Sequence, residues 1–281
     1  MTRLLLVAAT GAALGALAWM LARGLFAHRL FARTNVRGVD VPVGAGILAV
    51  LALVAMEAGL GVIDVVDDSS AGDRWARLLV VTAATAFALV GMVDDLVGDH
   101  GDKGFRGHLR ALVAGRLTTG GLKVLVGCLT AVVVVAPTVG ALLDLAIGAA
   151  VVALGANTAN LFDRAPGRTA KVGLVALVVL VVAGSATDRD LLVGVVALGG
   201  AVAGLAWFDL REELMLGDAG ANPLGAVLGL GVVLTCGLLT QFLVLVALAA
   251  LNVAGERVSF SNVIERVPVL RALDGLGRRP T

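Results

Sequence analysis

Apolar runs of about the length that crosses a bilayer recur along this chain, separated by short polar segments. A transmembrane helix needs roughly 20 predominantly apolar residues. On that measure the pattern predicts about nine spans, over 4–26, 44–63, 77–94, 122–136, 139–156, 170–186, 191–208, 223–236 and 237–254, the last two divided at Cys236 and Gly237. The first run, Leu4 to Leu21, is long for a signal-peptide core and is followed by Arg23, Arg29 and Arg33. It reads as a retained span. The expected fold is all-α, a polytopic membrane helical bundle, with one transmembrane domain over 1–258. The segment 259–281 has another pattern. Val263, Ile264, Val267, Leu270 and Leu273 recur at helical spacing among Glu265, Arg266 and Arg271. This predicts an amphipathic cytoplasmic tail on the inner membrane surface, broken or kinked at Pro268.

Composition agrees with the pattern. The chain is 59% apolar and 15% charged, with a mean hydropathy of +0.97. A soluble globular domain has roughly 45–50% apolar and about 25% charged residues, so that class is excluded. The placement of charge says more than its sum. With the N-terminus outside, the inner loops carry Arg23, Arg29, Arg33 and Arg37, then Lys103, Arg106, Arg110, Arg116 and Lys123. Later inner loops carry Arg164, Arg168 and Lys171, then Arg211, then Arg257, Arg266, Arg271, Arg278 and Arg279. Only Arg3, Arg74, Arg77 and Arg189 remain outside. This is the positive-inside bias, and no nucleic-acid partner is expected. Cys128 and Cys236 lie in apolar runs and read as buried small apolar residues. Glu57 and Asp144 lie near the outer ends of their spans and are assigned no chemistry.

Four inner segments carry acids and amides that a membrane anchor does not need. In "GMVDDLVGD", Asp94 and Asp95 close the third span. "GANTANLFDRAPGR" holds Asn157, Asn160, Asp163 and Arg164. "WFDLREELMLGDAGANPLG" holds Asp209, Asp218 and Asn222, and "RTNVRGVDVPVGAG" holds Asn35, Arg37 and Gly44. Adjacent carboxylates repel, and desolvation at a bilayer edge adds to the cost, so Asp94 and Asp95 call for a nearby cation. Asp163 also suits a helix cap, and Asp218, between glycines, also suits a turn. Sorting of positive charge explains much of Arg106, Arg110, Arg116 and Lys123; binding of phosphate is their alternative use. His100 and His108 read most simply as solvated loop residues. If the helices bundle, three carboxylate-bearing loops converge on one cleft. Carboxylates with phosphate suit Mg²⁺, and neighbouring cations suit a pyrophosphate. That combination is the chemistry of phosphoryl transfer.

The ordered set "NVRGVDVPVGAGIL", "GMVDDLVGD", "GLK", "NTANLFD" and "LGDAGANPLG" resembles the polyprenyl-phosphate N-acetylhexosamine-1-phosphate transferases, which include phospho-N-acetylmuramoyl-pentapeptide transferase. The resemblance implies a Mg²⁺-dependent membrane enzyme of cell-envelope glycan or peptidoglycan precursor synthesis. Such an enzyme moves a sugar-1-phosphate from a UDP-sugar to a polyprenyl phosphate and releases UMP. It implies catalytic roles for Asp94, Asp95 and Asp163, with Asp218 and Asp95 facing the metal. It implies substrate binding by Asn157, Asn160 and Lys123; Arg106, Arg116 and His108 of the basic loop are candidate substrate contacts from their own chemistry. A multi-pass protein of a bacterial plasma membrane is expected, and Arg-, Ala-, Val- and Gly-rich usage fits a GC-rich bacterial genome. A homodimer is common among such relatives.

Two departures bear on activity. The family continues its asparagine loop as Asp-Gly-x-Asp-Gly, whereas this chain reads "DRAPGR", with Pro166 where a second aspartate would stand. The family's last inner loop carries a histidine cluster, whereas 255–281 has no histidine. An alternative is therefore a catalytically degenerate relative that binds lipid phosphate or acts as an envelope scaffold. An ion-coupled transporter is a third class, but transporters favour midplane charges and internal repeats, and neither is visible.

Overall fold

A computed structural model describes residues 1–35, 37–66, 71–98, 115, 118–184 and 187–279. Eleven α-helices are present among the described residues: α1 (Thr2–Phe26), α2 (Ile47–Val66), α3 (Arg74–Val97), α4 (Thr119–Val135), α5 (Leu142–Phe162), α6 (Arg168–Ala183), α7 (Val193–Asp209), α8 (Asp218–Thr235), α9 (Leu238–Arg257), α10 (Phe260–Arg266) and α11 (Pro268–Gly275). The first nine coincide with the nine apolar runs. Eight are long and apolar enough to cross a membrane, counting the 3-10 turns that extend α4 and α7. The ninth, α6, has 16 residues and spans about 24 Å at 1.5 Å per residue. The fold is an all-α polytopic bundle, as the pattern predicts.

Among the described residues, the inner ends of α3, α4, α5 and α8 meet at one end of the bundle, where the first inner loop also packs. The most buried span is α8, packed against α3, α5, α6 and α7, and it is also the least hydropathic. A helix surrounded by protein needs no apolar coat, whereas one facing lipid does. Small residues bring backbones close here: a Cβ on Gly225 of α8 would lie 2.1 Å from the Gly155 carbonyl oxygen of α5. Conversely, α9 packs mainly against α5 and leaves Leu239, Phe242, Leu243 and Val253 outward, as a lipid-facing helix should.

Several details differ from the sequence reading. A short antiparallel ribbon, β1 (Ala32–Thr34) and β2 (Asp40–Pro42), forms inside the first inner loop. Three-residue strands carry too little alternation to be seen in sequence. Helix α5 runs through Asn157 and Asn160, and α8 begins at Asp218. The segments "NTAN" and "DAGAN" are therefore helix ends that protrude beyond the apolar runs, because tertiary hydrogen bonds replace the missing hydrophobicity. Cys128 is exposed and Cys236 half-buried, which corrects the expectation that both are buried. The neighbours of Cys128 on α4, Leu125, Leu129 and Val132, are exposed as well. Pro268 does break the tail: it opens α11, where its missing N–H costs nothing.

The end of the bundle remote from these loops is tied by ions. Arg77 is 1% exposed and bonds Glu57 (2.8 Å), Asp73 (2.5 Å) and Asp64. Arg74 joins Asp64, and Arg3 of α1 joins Asp73 and Asp190. Arg3, Arg74 and Arg77, all assigned outside from sequence, thus have acidic partners, and Glu57 is paired rather than idle. Arg77→Leu is expected to take the arginine from Glu57 and one of two cations from each of Asp64 and Asp73, and to cost about 3–5 kcal/mol. Arg74→Leu, at a more exposed site, should cost about 1 kcal/mol or less. Thermal unfolding in detergent compares them, and equal melting points would refute the buried network.

Candidate active site

The site is assembled around the N-terminus of α8. Gly217, at φ +66, turns the chain into that helix, which leaves its first N–H groups without intrahelical partners. Asp95 of α3 supplies them: Oδ1 accepts from Asp218 N and Oδ2 from Ala219 N, both at 3.0 Å. The cap comes from another helix, and the carboxylate also faces the positive end of the α8 dipole. Its approach requires two glycines. A Cβ on Gly91 would lie 2.4 Å from the Asp218 carbonyl oxygen, and one on Gly217 would lie 2.5 Å from Asp95 Oδ2. Arg33 closes the C-terminal end of α3 by donating to the carbonyls of Asp95 (3.0 Å) and Leu96 (2.9 Å). The first inner loop pairs with the strand-like run before α8, through Ala45 N to Met215 O (3.2 Å) and Gly46 N to Leu216 O (3.0 Å).

The neighbouring Asp94 points elsewhere. Lys123 of α4 lies between it and Asp218, 3.9 Å from Asp94 Oδ2 and in direct contact with Asp218 Oδ2. With its amide oriented to satisfy both neighbours, Asn160 donates to Asp218 Oδ1 (2.6 Å) and accepts from Lys123 Nζ (2.7 Å). The two adjacent aspartates therefore have different roles. Asp95 holds a helix, while Asp94 faces the open site beside a cation.

Asp94, Lys123, Asn157 and Asn160 line a cavity of about 530 Å³ between α3, α4, α5 and α8. Arg164 and Glu256 stand on the same wall, which continues through Phe87, Val124, Gly127 and Leu154. The cavity is thus polar at the loop end and apolar toward the membrane interior. Asn157 also bonds Asn252 of α9, which in turn donates to Thr158 Oγ1 at 2.8 Å. A second cavity of about 200 Å³ shares Arg164 and is lined by Asp163, Pro166, Asp209 and Glu212. There Glu212 accepts from Asn35 (2.6 Å) and pairs with Arg37 (2.9 Å), while Asp209 accepts from Gly167 N (3.0 Å).

Asp163 follows the last turn of α5 and lines the second cavity beside Arg164. Burial, then the negative charge of Asp218, pushes its carboxyl from 3.8 up to about 6, against hydrogen bonding from Thr169 and the Gly217 backbone and the charge of Arg164. On the same face, the tail docks by a two-bond pair from Arg168 to Asp274, both at 2.8 Å, and by Arg278 Nε to Pro166 O at 2.9 Å. Burial would raise the Asp274 carboxyl, but Arg168 and Arg278 outweigh it and hold it low.

Among the described residues, no three His, Cys, Asp or Glu side chains meet as a metal cage. Of the residues singled out from sequence, Asp94, Asp95, Lys123, Asn160, Asp163 and Asp218 gather here, with Asn157 on the cavity wall. Arg106, Arg116 and His108, together with Lys103, Arg110 and His100, lie outside the described residues. Sequence reasoning passed over Arg33, Asn252 and Glu256. Asn252 carried a signal, as a lone amide inside an apolar run.

A family profile, glycosyl transferase family 4, matches residues 77–236, more than half of the chain. The chain belongs to glycosyl transferase family 4. This is the family of phospho-MurNAc-pentapeptide transferase and related polyprenyl-phosphate hexosamine-1-phosphate transferases. The matched region of this family 4 chain contains Asp94, Asp95, Lys123, Asn160, Asp163 and Asp218. No curated protein matches the chain.

Asp95→Ala should remove two buried acceptor bonds and lower stability by about 1–3 kcal/mol. Asp95→Asn, which keeps one acceptor oxygen, should recover part of the loss in a denaturation series. Asp163 gives a pH signature. Its raised pKa means that the folded state holds the proton more tightly, so its stabilising contribution is complete below pH 3.8 and lost as pH rises through about 6. Melting temperature should therefore contain a fall across that window that Asp163→Asn lacks.

Proposed function

We propose that this family 4 protein transfers a sugar-1-phosphate from a UDP-sugar to a polyprenyl phosphate. The observation that carries the reading is the cavity whose mouth holds Asp94, Lys123 and Asn160 and whose depth is lined by Phe87, Val124, Gly127 and Leu154. That shape suits a ligand with a phosphate at one end and a hydrocarbon chain at the other. Lys123, Asn160 and Arg164 bind the phosphate oxygens, and Asp94 accepts a proton from a monoprotonated lipid phosphate. The lipid phosphate oxygen then attacks the β-phosphorus of the UDP-sugar in line. The new P–O bond forms as the bond to the α-phosphate bridging oxygen breaks, UMP leaves, and the lipid carries a sugar diphosphate. Arg164, shared with the second cavity, lies on the polar side from which the nucleotide approaches.

A Mg²⁺ ion fits the residues present. Asp94 and Asp218 already face one cation, Lys123, and their carboxylate oxygens are hard ligands. Mg²⁺ binds by one or two carboxylates plus substrate phosphates, so a ready three-carboxylate cage is not needed. Asp218 and Asp94 would hold it, and Asp95, whose oxygens each keep a second lone pair, would support it through α8. When bound, the ion neutralises charge on the transferring phosphoryl group. The loops then face the cytoplasm of a bacterial plasma membrane, with the N-terminus outside and 259–281 as a surface tail.

A second reading, a lipid-phosphate-binding relative without turnover, is favoured by Pro166, whose carbonyl is occupied by Arg278, and by the histidine-free segment 255–281. A transfer assay separates the two. Purified protein receives undecaprenyl or decaprenyl phosphate, Mg²⁺ and a panel of UDP-sugars. UMP release is expected to need lipid and metal, and to fall at least about 100-fold in Asp94→Asn, the scale of lost acid–base catalysis. Metal-dependent lipid binding without UMP from any sugar would favour the second reading.

A further inference from the structure

Asn222 lies four residues after Asp218 on α8, one turn and about 6 Å deeper into the bundle. It is 1% exposed, yet neither its Nδ2 nor its Oδ1 has a hydrogen-bond partner. It also lines the larger cavity. An amide offers two donors and two acceptor lone pairs, and a buried unpaired polar group is unfavourable. Within a membrane, such groups face the bundle interior or a cavity and mark ligand paths. Packing alone gives no reason for an amide here, since an apolar side chain with the same branching, such as leucine, carries no such penalty.

The surrounding wall narrows the choice of ligand. Lys123 already pairs with Asp94 and Asp218, Asn160 with Asp218 and Lys123, and Asn157 with Asn252, whereas Asn222 has all of its hydrogen-bonding capacity left for a ligand. Phe87, Val124, Gly127, Ala153 and Ala156 offer no side-chain hydrogen bond. A nucleotide held at the polar mouth has no hydrocarbon chain to fill the apolar depth that flanks Asn222. A phosphate whose hydrocarbon chain fills the apolar depth does reach it.

We infer that Asn222 is a headgroup contact for the acceptor lipid. Its Nδ2 donates to a phosphate oxygen where the polar mouth meets the apolar depth, and this sets how far the phosphate descends beside Lys123 and Asp94. Its Oδ1 accepts from an accompanying water. The inference rests on the lipid-phosphate reading above and deepens it.

The test measures binding to the full chain in detergent, without nucleotide sugar, by thermal shift. The probes are undecaprenyl phosphate, undecaprenol and inorganic phosphate. Asn222→Leu should weaken undecaprenyl phosphate binding about 10-fold or more, the scale of one hydrogen bond to a charged group. Undecaprenol binding should be unchanged, and the lipid-free melting point unchanged or higher. Asn222→Ser, which keeps a donor, should retain part of the affinity, and it carries the comparison if Asn222→Leu does not fold. Equal lipid-phosphate affinity in wild type and both variants would overturn the inference alone and leave a hydrated packing residue. A loss confined to inorganic phosphate would also overturn it. If wild type does not distinguish undecaprenyl phosphate from undecaprenol, the lipid-phosphate reading fails and the inference with it.

Discussion

The unpaired N–H groups at the start of α8 constrain the whole site. In a membrane protein they have little water to turn to at this depth, and an unsatisfied group there is costly. Asp95 satisfies two of them from α3, and the close contact leaves no room for a side chain on Gly91 or Gly217. Once α3 and α8 are locked in that register, the remaining carboxylates have fixed places. Asp94, the preceding residue on α3, turns toward α4 and Lys123, while Asp218, the first residue of α8, meets the same ammonium from the other side.

The arrangement explains how a chain so poor in charge tolerates a cluster of it at a membrane edge. Each ionic group of the cluster is either paired or opens onto a cavity. At the far end of the bundle the solution is different. Arg77 is enclosed by Glu57, Asp64 and Asp73 and is almost wholly shielded from solvent. Both ends hold acids and bases in contact, but the loop end combines them with a cavity that changes from polar to apolar. That combination, more than the number of carboxylates, separates a ligand site from a structural ion network.

The nine apolar helices, eight of them long enough to cross a membrane, were legible because lipid demands an apolar coat roughly 20 residues long, a requirement written directly into sequence. The ordered polar motifs were legible too, since helix ends at a membrane face rarely carry adjacent acids and amides without cause. What composition hid was where the motifs sit in the helices. Asn157, Asn160 and Asp218 read as loop residues because polar side chains interrupt the apolar pattern, yet they continue or open helices once Asn252, Lys123 and Asp95 bond to them. Hydropathy cannot report a bond to a residue far away along the chain.

The sequence alone determined the class of molecule, the order of its spans and the set of residues able to do phosphoryl chemistry. These depend on local composition and on short motifs. Only the tertiary structure decided which of two adjacent aspartates faces the cavity and which holds a helix, because that choice depends on the rotation of α3 against α8. It also decided that Asn222, one amide among several in a polar stretch, is the one left buried and unpaired against a cavity wall. A side chain's partner is fixed by the packing of several helices at once, and no stretch of sequence carries that information by itself.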